Sequence, residues 1–486
     1  MGIDYKSVKL RVGLELHVQL NTVHKLFCNC STAMKEKDAE RILQRRQHIV
    51  ASELGDVDRA AQYEFLRHRS FNYQIFPKEV CLVESDEEPP HEVNKEALDV
   101  ALKIAIMFNC HVPDEIHVMR KTVIDGSNTG GFQRTMIVGM GGWIKYKDKR
   151  VEISQISLEE DASAIVPNEN GKVTFRLNRL GTPLVEIDTG ILEGFLPEEV
   201  QEIASMMGLI AKSTGKLKRG LGTIRQDVNV SVKGGNRVEI KGVQDLGLMD
   251  KVIEFEANRQ LALIQEGKRV DEETRAAKED GTTVFNRPLP GSARMYPETD
   301  VEPVVVDRNK LEEIKKALPE TWDKKMERFK KSLGLSELLA KEIVRSNYLD
   351  LFEKITSSLK VEPTIVANTF TSVIKDLERR GRIKHDNLEE NVFMDIFNHL
   401  QKGKLFKEAI PDVVDHLFNN PGESLDVALN KLRLEPVTKE ELDKVIHEAV
   451  SSTKEFGKVM NMVIGKLRGR VDTKVAMEEI KKKLKS

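Results

Sequence analysis

The sequence predicts an α+β protein: a body built on a mixed or antiparallel sheet, followed by an all-helical domain and a helical tail domain. Three observations carry that expectation. Up to about residue 307 the chain is rich in glycine and in short stretches where apolar and polar residues alternate, the period-two pattern of half-exposed strands. From Arg308 onward glycines thin out and the apolar period becomes helical, as in residues 335–344 and 366–377. At 486 residues the chain is also too long for one core, and roughly 150 residues per domain suggests about three. The expected boundaries are 1–307, 308–410 and 411–486.

Residues 10–20 form the most informative element. Leu10, Val12, Leu14, Leu16, Val18 and Leu20 alternate strictly with Arg11, Gly13, Glu15, His17 and Gln19. Side chains at i and i+2 of a strand share a face, so Glu15 and His17 point the same way, beside a glycine that leaves room. On this segment alone, one side of a site and a solvent-facing strand with arbitrary polar residues read equally well. The acidic run 84–88, bounded by Pro89 and Pro90, reads as a surface loop. Asn94 is placed to cap a helix whose inner stripe is Leu98, Ala101, Leu102, Ala105 and Ile106.

Further along, Glu159, Glu160 and Asp161 follow the strand-like residues 151–158, and Glu186 lies within the apolar segment 183–187. Carboxylates projecting from apolar strands are candidate ligands for a hard cation. Residues 224–233 set Arg225, Asp227, Asn229 and Ser231 on one face and Val228, Val230 and Val232 on the other, and Gly234 and Gly235 then signal a hairpin. A two-residue loop would oppose Ser231 to Val238. A three-residue loop, 234–236, opposes Ser231 to Glu239 and Asn229 to Lys241 and keeps one face polar, so the odd loop is expected. Such a wall of mixed charge suits a nucleotide and its metal. Residues 287–303 hold Pro288, Pro290, Pro297 and Pro303 among Tyr296, Glu298 and Asp300; they read either as a linker or as an ordered loop near the site.

Composition excludes several classes. With 32% charged residues and no long apolar run, neither a membrane span nor a secretory leader is expected, and the cytoplasm is the default. Four cysteines make no disulfide framework. Cys28 and Cys30 form a C-x-C that would bind structural zinc only if Cys81 and a fourth ligand joined them; reduced, partly buried thiols are the preferred reading. A net charge of −2 hides a basic end, where Lys466, Arg468, Arg470, Lys474, Lys481, Lys482, Lys483 and Lys485 face only Asp472, Glu478 and Glu479. That patch suits a phosphate backbone, although a solvated helix face has the same composition. No P-loop, dinucleotide fingerprint, H-E-x-x-H or G-x-S-x-G occurs, and no amidase signature, so the chain is not expected to generate ammonia itself.

The motifs together resemble the B and E subunits of tRNA-dependent amidotransferases. Val12-Gly-Leu-Glu-Leu-His-Val-Gln-Leu-Asn-Thr22, Lys25-Leu-Phe-Cys28, Leu158-Glu-Glu-Asp161, Leu177-Asn-Arg-Leu-Gly-Thr-Pro-Leu-Val-Glu-Ile187, Arg225-Gln-Asp-Val-Asn-Val-Ser231 and Glu239-Ile-Lys-Gly242 stand in the family's order. Asp86-Glu-Glu-Pro-Pro-His91 and the segment 287–300 look more like the archaeal E form, but residues 261–275 run through without the aspartyl-tRNA-synthetase-like insertion that E subunits usually carry. The resemblance implies a catalytic cradle and a tRNA-binding tail similar to YqeY domains. It also implies that ATP phosphorylates the glutamate carried on tRNA(Gln), and that ammonia converts it to glutaminyl-tRNA. Glu15, His17, Glu160 and Glu186 are the implied catalytic residues. His17, Glu160 and Glu186 would hold Mg2+ (with Mn2+ open), Glu159 being the less suited of its pair. Arg225, Asp227, Asn229, Ser231 and Lys241 would face ATP; Lys466, Arg468, Arg470, Lys481, Lys482 and Lys483 would face tRNA. The implied assembly is a hetero-oligomer in which an asparaginase-like D subunit, rather than an amidase-type A subunit, supplies ammonia. A non-catalytic tRNA-binding scaffold and an ATP-dependent amide ligase acting on a small carboxylic acid are the alternatives.

Overall fold

The computed structural model describes residues 3–35, 38–51, 55–166, 173–218, 220, 222–291, 295–383 and 390–485. The chain divides into two units, Met1–Glu320 and Thr321–Ser486. The first is α+β and the second is helical in all its described regular elements.

A large sheet organises the first unit. From edge to edge its strands are Thr283–Pro288, Glu273–Ala277, Val238–Val243, Ile224–Ser231, Arg11–Gln19, Pro183–Thr189, Lys149–Glu160, Phe132–Tyr146, Met119–Thr122 and Met295–Pro297. Neighbours run antiparallel, except Val238–Val243 beside Glu273–Ala277. The alternation of residues 10–20 does what it predicts. Leu10, Val12, Leu14, Leu16, Val18 and Leu20 are all buried, in one core with the inner faces of the helices Lys95–Met107, Pro197–Lys212 and Met249–Gln265. Asn94 caps the first helix, its side chain accepting from the Ala97 N–H, and Pro197 with Glu198 and Glu199 opens the second, residue types that suit a helix start. With helices on one face of the sheet, the polar residues of each strand gather on the other.

A smaller sheet, Arg41–Arg45, Phe71–Ile75, Val173–Arg176 and Ala164–Val166, has its own core of Phe71, Tyr73, Ile75, Phe76 and Phe175. The acidic run differs from its sequence reading. Asp86, Glu87 and Glu88 are exposed, but Glu84 is only 4% exposed and turned inward. Residues 287–303 are an ordered part of the body where described: Met295–Pro297 is an edge strand and Glu298 is buried. Residues 292–294 of that segment lie outside the described residues.

The expected boundary at 307 falls too early. Helix Arg308–Lys316 packs Leu311 and Ile314 into the first unit's core. Within the second unit one core runs from Phe329 to Leu434 and another from Leu442 to Ile480, so the apolar packing divides between these rather than near 411.

Candidate active site

The strand Arg11–Gln19 lies between Ile224–Ser231 and Pro183–Thr189, and its ladders decide which polar residues meet. His17 stands opposite Glu186 on one side and Arg225 on the other; Glu15 stands opposite Asp188 and Asp227. His17 Nδ1 is 3.5 Å from a Glu186 oxygen and Nε2 is 3.6 Å from an Asp227 oxygen. Nδ1 is buried without a hydrogen-bond partner. Asn229 donates to Glu15 at 2.9 Å, beside Gly13, its partner across the ladder.

The two adjacent glutamates exchange the positions expected of them. Glu159, judged the less suited, is the one whose carboxylate lies with His17 and Glu186. It accepts from Lys121, from Thr135 Oγ1 at 2.7 Å and from Gln133 Nε2 at 2.9 Å. Glu160 is turned away, accepting from the Arg134 backbone N–H at 3.2 Å and its guanidinium at 3.4 Å. The reason is parity: Ser157 opposes Glu186, so Glu159 shares its face and Glu160 takes the opposite one. Ile156 and Leu158, both buried, mark the same alternation, a signal already present in the sequence.

The hairpin keeps its polar face but not its predicted register. Asn229, not Ser231, opposes Glu239, and a bulge sets Lys241 and Gly242 against Asp227. Gly242 takes φ +81° there, a conformation that favours glycine. The bulge aims two donors at one carboxylate: Lys241 Nζ reaches Asp227 at 2.8 Å and the Gly242 N–H reaches it at 3.1 Å. Lys241 also pairs with Glu239 at 2.7 Å. Two predicted residues stand apart from this group. Ser231 faces Arg11 farther along the strand, and the Arg225 guanidinium is drawn to Asp161 at 2.8 Å.

Acid outnumbers base here, and proton affinities follow. Burial, then the neighbouring Glu239 charge, pushes Glu15 above the usual carboxylate range. Burial, then Glu186 and Glu15, raises Asp188 well above it. Burial opposes charge on His17, but contact with Asp227 and the charges of Glu186 and Asp227 outweigh it and lift the imidazole to about 9. Burial also disfavours the charged forms of Asp227 and Lys241, yet each holds the other ionised: Asp227 is shifted far down and Lys241 up. Two groups sharing His17 bring ligand atoms within 4.8 Å of one another: Glu15, His17 and Asp227, and His17, Glu159 and Glu186. The orphaned Nδ1 and the excess carboxylates fit a divalent cation. The sequence reading missed Asp188, although it lies two residues beyond Glu186, and Lys121, which nothing local marks.

Residues 10–312 match the model of the GatB/GatE catalytic domain, and residues 350–484 match that of the GatB domain. The chain belongs to the GatB/GatE family. Among its relatives are proteins named as the E subunit of glutamyl-tRNA(Gln) amidotransferase. That of Methanocaldococcus jannaschii is 35% identical, with all of both chains covered, and that of Saccharolobus solfataricus is 34% identical, with 100% of this chain and 99% of the relative covered. That of Aeropyrum pernix is 35% identical, covering 99% and 98%. These alignments run over 630 to 639 positions against 486 residues here, so the relatives carry stretches without a counterpart in this chain.

Within the second family match, the basic residues divide. Lys466, Arg468, Lys481, Lys482 and Lys483 are exposed. Lys466 pairs with Glu448 at 2.9 Å and Lys482 with Glu479 at 2.6 Å, both on the surface. Arg470 instead turns its fork onto Glu441 at 2.8 and 3.1 Å and onto the Glu435 carbonyl, which gives it a task inside the fold. Among the described residues no helix is long and apolar enough to cross a membrane.

Proposed function

We propose that this chain is the transamidase subunit of a glutamyl-tRNA(Gln) amidotransferase. ATP phosphorylates the side-chain carboxylate of glutamate carried on tRNA(Gln), and ammonia from a partner subunit then displaces phosphate. The relatives' names support the tRNA-dependent reaction. The observation that carries the chemistry is the pair of carboxylate groups sharing His17 on one sheet face.

Phosphoryl transfer is mostly positioning and charge neutralisation. His17, Glu159 and Glu186 would hold Mg2+, or Mn2+ given the imidazole, while Glu15 and Asp227 complete the wall; the bound cation would offset phosphate charge. Lys241, kept charged by Asp227 and Glu239, would face phosphate oxygens. Lys121, between Glu159 and Glu186 at 3.6 Å from the latter, fixes their carboxylates. Glu15 and Asp188, carboxyls on the same sheet face, would take the proton that the ammonia nitrogen sheds. The exposed cations Lys466, Arg468, Lys481, Lys482 and Lys483 would track tRNA phosphates. Resemblance to the E form makes an asparaginase-like D subunit the ammonia source and the assembly a hetero-oligomer.

The test incubates the chain with Glu-tRNA(Gln), ATP, Mg2+ and ammonium and measures Gln-tRNA. ATP-dependent product is expected. A folded chain that binds tRNA but forms none would favour the scaffold, and ADP release driven by a free carboxylic acid would favour the small-molecule ligase.

A further inference from the structure

The hairpin of Phe132–Tyr146 and Lys149–Glu160 brings Glu159 to the site at one end and leaves an aromatic ring bare towards the other. Near its tip the chain reads Trp143-Ile-Lys-Tyr-Lys-Asp-Lys-Arg150, cations interleaved with aromatic rings. Ile144, Tyr146, Val151 and Ile153 enter the helix-covered core. By alternation Trp143 and Lys145 take the opposite face, with Glu152 and Arg150 as their cross-strand partners. That is the side on which Glu159 meets His17 and Glu186. Of the chain's two tryptophans, Trp322 packs against the second unit's core, whereas Trp143 is 36% exposed and Met140, between it and the site, 41%.

Arg150 lays its guanidinium over the indole, 4.9 Å from the ring centre, a contact that steadies the ring without covering it. Lys145 and Arg150 stand opposite each other beside it, and Glu152 is the one acid paired with Trp143 across the ladder. An exposed aromatic ring flanked by cations suits an unpaired nucleotide, because bases of any identity stack on such a ring while cations follow the backbone phosphates. We infer that Trp143 is the platform on which an unpaired nucleotide near the 3′ end of aminoacyl-tRNA stacks, with Lys145 and Arg150 at its phosphates, a role that rests on the tRNA-dependent reaction proposed above.

Position selects this occupant. At roughly 3.3 Å per residue, the strand from Glu159 back to Glu152 covers about 20 Å. A mononucleotide whose terminal phosphate lies at His17 does not reach so far, but a strand whose end carries the glutamyl group there does. The cross-strand pairs between the two places, Ile137 with Ser157 and Met140 with Gln155, are uncharged, so this stretch of the hairpin sets no carboxylate against a passing phosphate. The aminoacylated end of tRNA is also its single-stranded part, whose bases are free to splay onto a side chain.

Filter binding of the full chain to uncharged tRNA(Gln), intact or trimmed of its unpaired 3′ nucleotides, is the test. Wild type should hold intact tRNA on the order of tenfold more tightly than trimmed tRNA. Trp143→Ala should lose most of that advantage and Trp143→Phe should keep most of it, while both bind trimmed tRNA as wild type does, which reports an intact fold. Lys145→Glu, which spares the indole, should shrink the advantage as well and decides the matter if Trp143→Ala does not fold. In the Gln-tRNA assay Trp143→Ala should raise KM for Glu-tRNA(Gln) and leave KM for ATP unchanged. A full 3′ advantage retained by folded Trp143→Ala, or by Lys145→Glu where that variant decides, would overturn the platform. So would a raised KM for ATP alone, which makes the adenine of ATP the occupant, or loss of the ammonia-supplying subunit at unchanged tRNA affinity, which makes the patch a protein interface. Wild type that shows the binding pattern yet forms no Gln-tRNA would defeat the proposed reaction and leave the platform standing.

Discussion

Glu159 and Glu160 are neighbours on one strand, yet they enter opposite electrostatic regimes. On the Glu159 side six carboxyls, those of Glu15, Glu159, Glu186, Asp188, Asp227 and Glu239, meet Lys121, Lys241 and His17. On the Glu160 side, Glu160 and buried Glu298 face Arg134 and Arg120: Arg134 Nε reaches Glu298 at 2.8 Å and Arg120 Nε reaches it at 2.9 Å. The guanidiniums there match the buried acids. The first region retains proton affinity and orphaned donors and has room in its charge balance for a cation; the second is satisfied by the protein alone. A deficit of counter-charge marks a candidate site better than the number of acids does.

Neutralising the two residues one at a time breaks that comparison most sharply. Glu159→Gln should lower ATP-dependent Gln-tRNA formation by at least about a hundredfold with little loss of stability, since it relieves crowding among acids. Glu160→Gln should do the reverse, costing up to about 3 kcal/mol of unfolding free energy by taking from buried Arg134 one of its two carboxylate partners, Glu298 remaining, while leaving turnover of the folded protein within a few-fold. Equal loss of activity in both, with equal melting points, would dissolve the distinction. Ammonium-dependent turnover and chemical denaturation measure the two effects.

Acid titration offers a somewhat smaller effect on the matched side. Burial opposes ionisation of Glu298, but Arg120, the Asp300 N–H and Arg134 outweigh it and bring its pKa to about 2, against an ordinary 4.5. A depressed folded pKa stabilises fully above the unfolded value and is lost as pH falls through the folded one. Unfolding free energy should therefore decline between about pH 4.5 and pH 2, by up to about 3 kcal/mol from this group. Glu298→Gln should flatten that part of the stability profile; an unaltered profile would mean that the arginines do not hold this carboxylate.

The tail repeats the contrast at lower stakes. Replacing Lys481, Lys482 and Lys483 by alanine should reduce the salt dependence of tRNA binding by up to about three units of slope, with the melting temperature unchanged. Arg470→Ala should lower stability by about 1–2 kcal/mol, because Glu441 and the Glu435 carbonyl lose their donor, and should alter the slope least. Filter binding across a salt series separates the two classes.

The sequence by itself determined a good deal. Strict alternation over residues 10–20 specified a strand with one buried face, because a period of two allows no other partition of its leucines and valines. The change of period after residue 307 announced the helical part, and the faces of Ile224–Ser231 and its partner were legible as polar and apolar. The alternation of Ile156 and Leu158 carried the parity that separates Glu159 from Glu160, although the sequence reading favoured Glu160. Tertiary structure alone decided the rest. The bulge at Lys241 and Gly242, the opposition of Asp188 to Glu15, the reach of Lys121 to Glu159, and the meeting of Cys28 and Cys30 with Cys81 and Glu84 all depend on register or on segments far apart in the chain. Local periodicity fixes which way a side chain points; which residue it meets is set by strand order and register, and those emerge only when the whole sheet assembles.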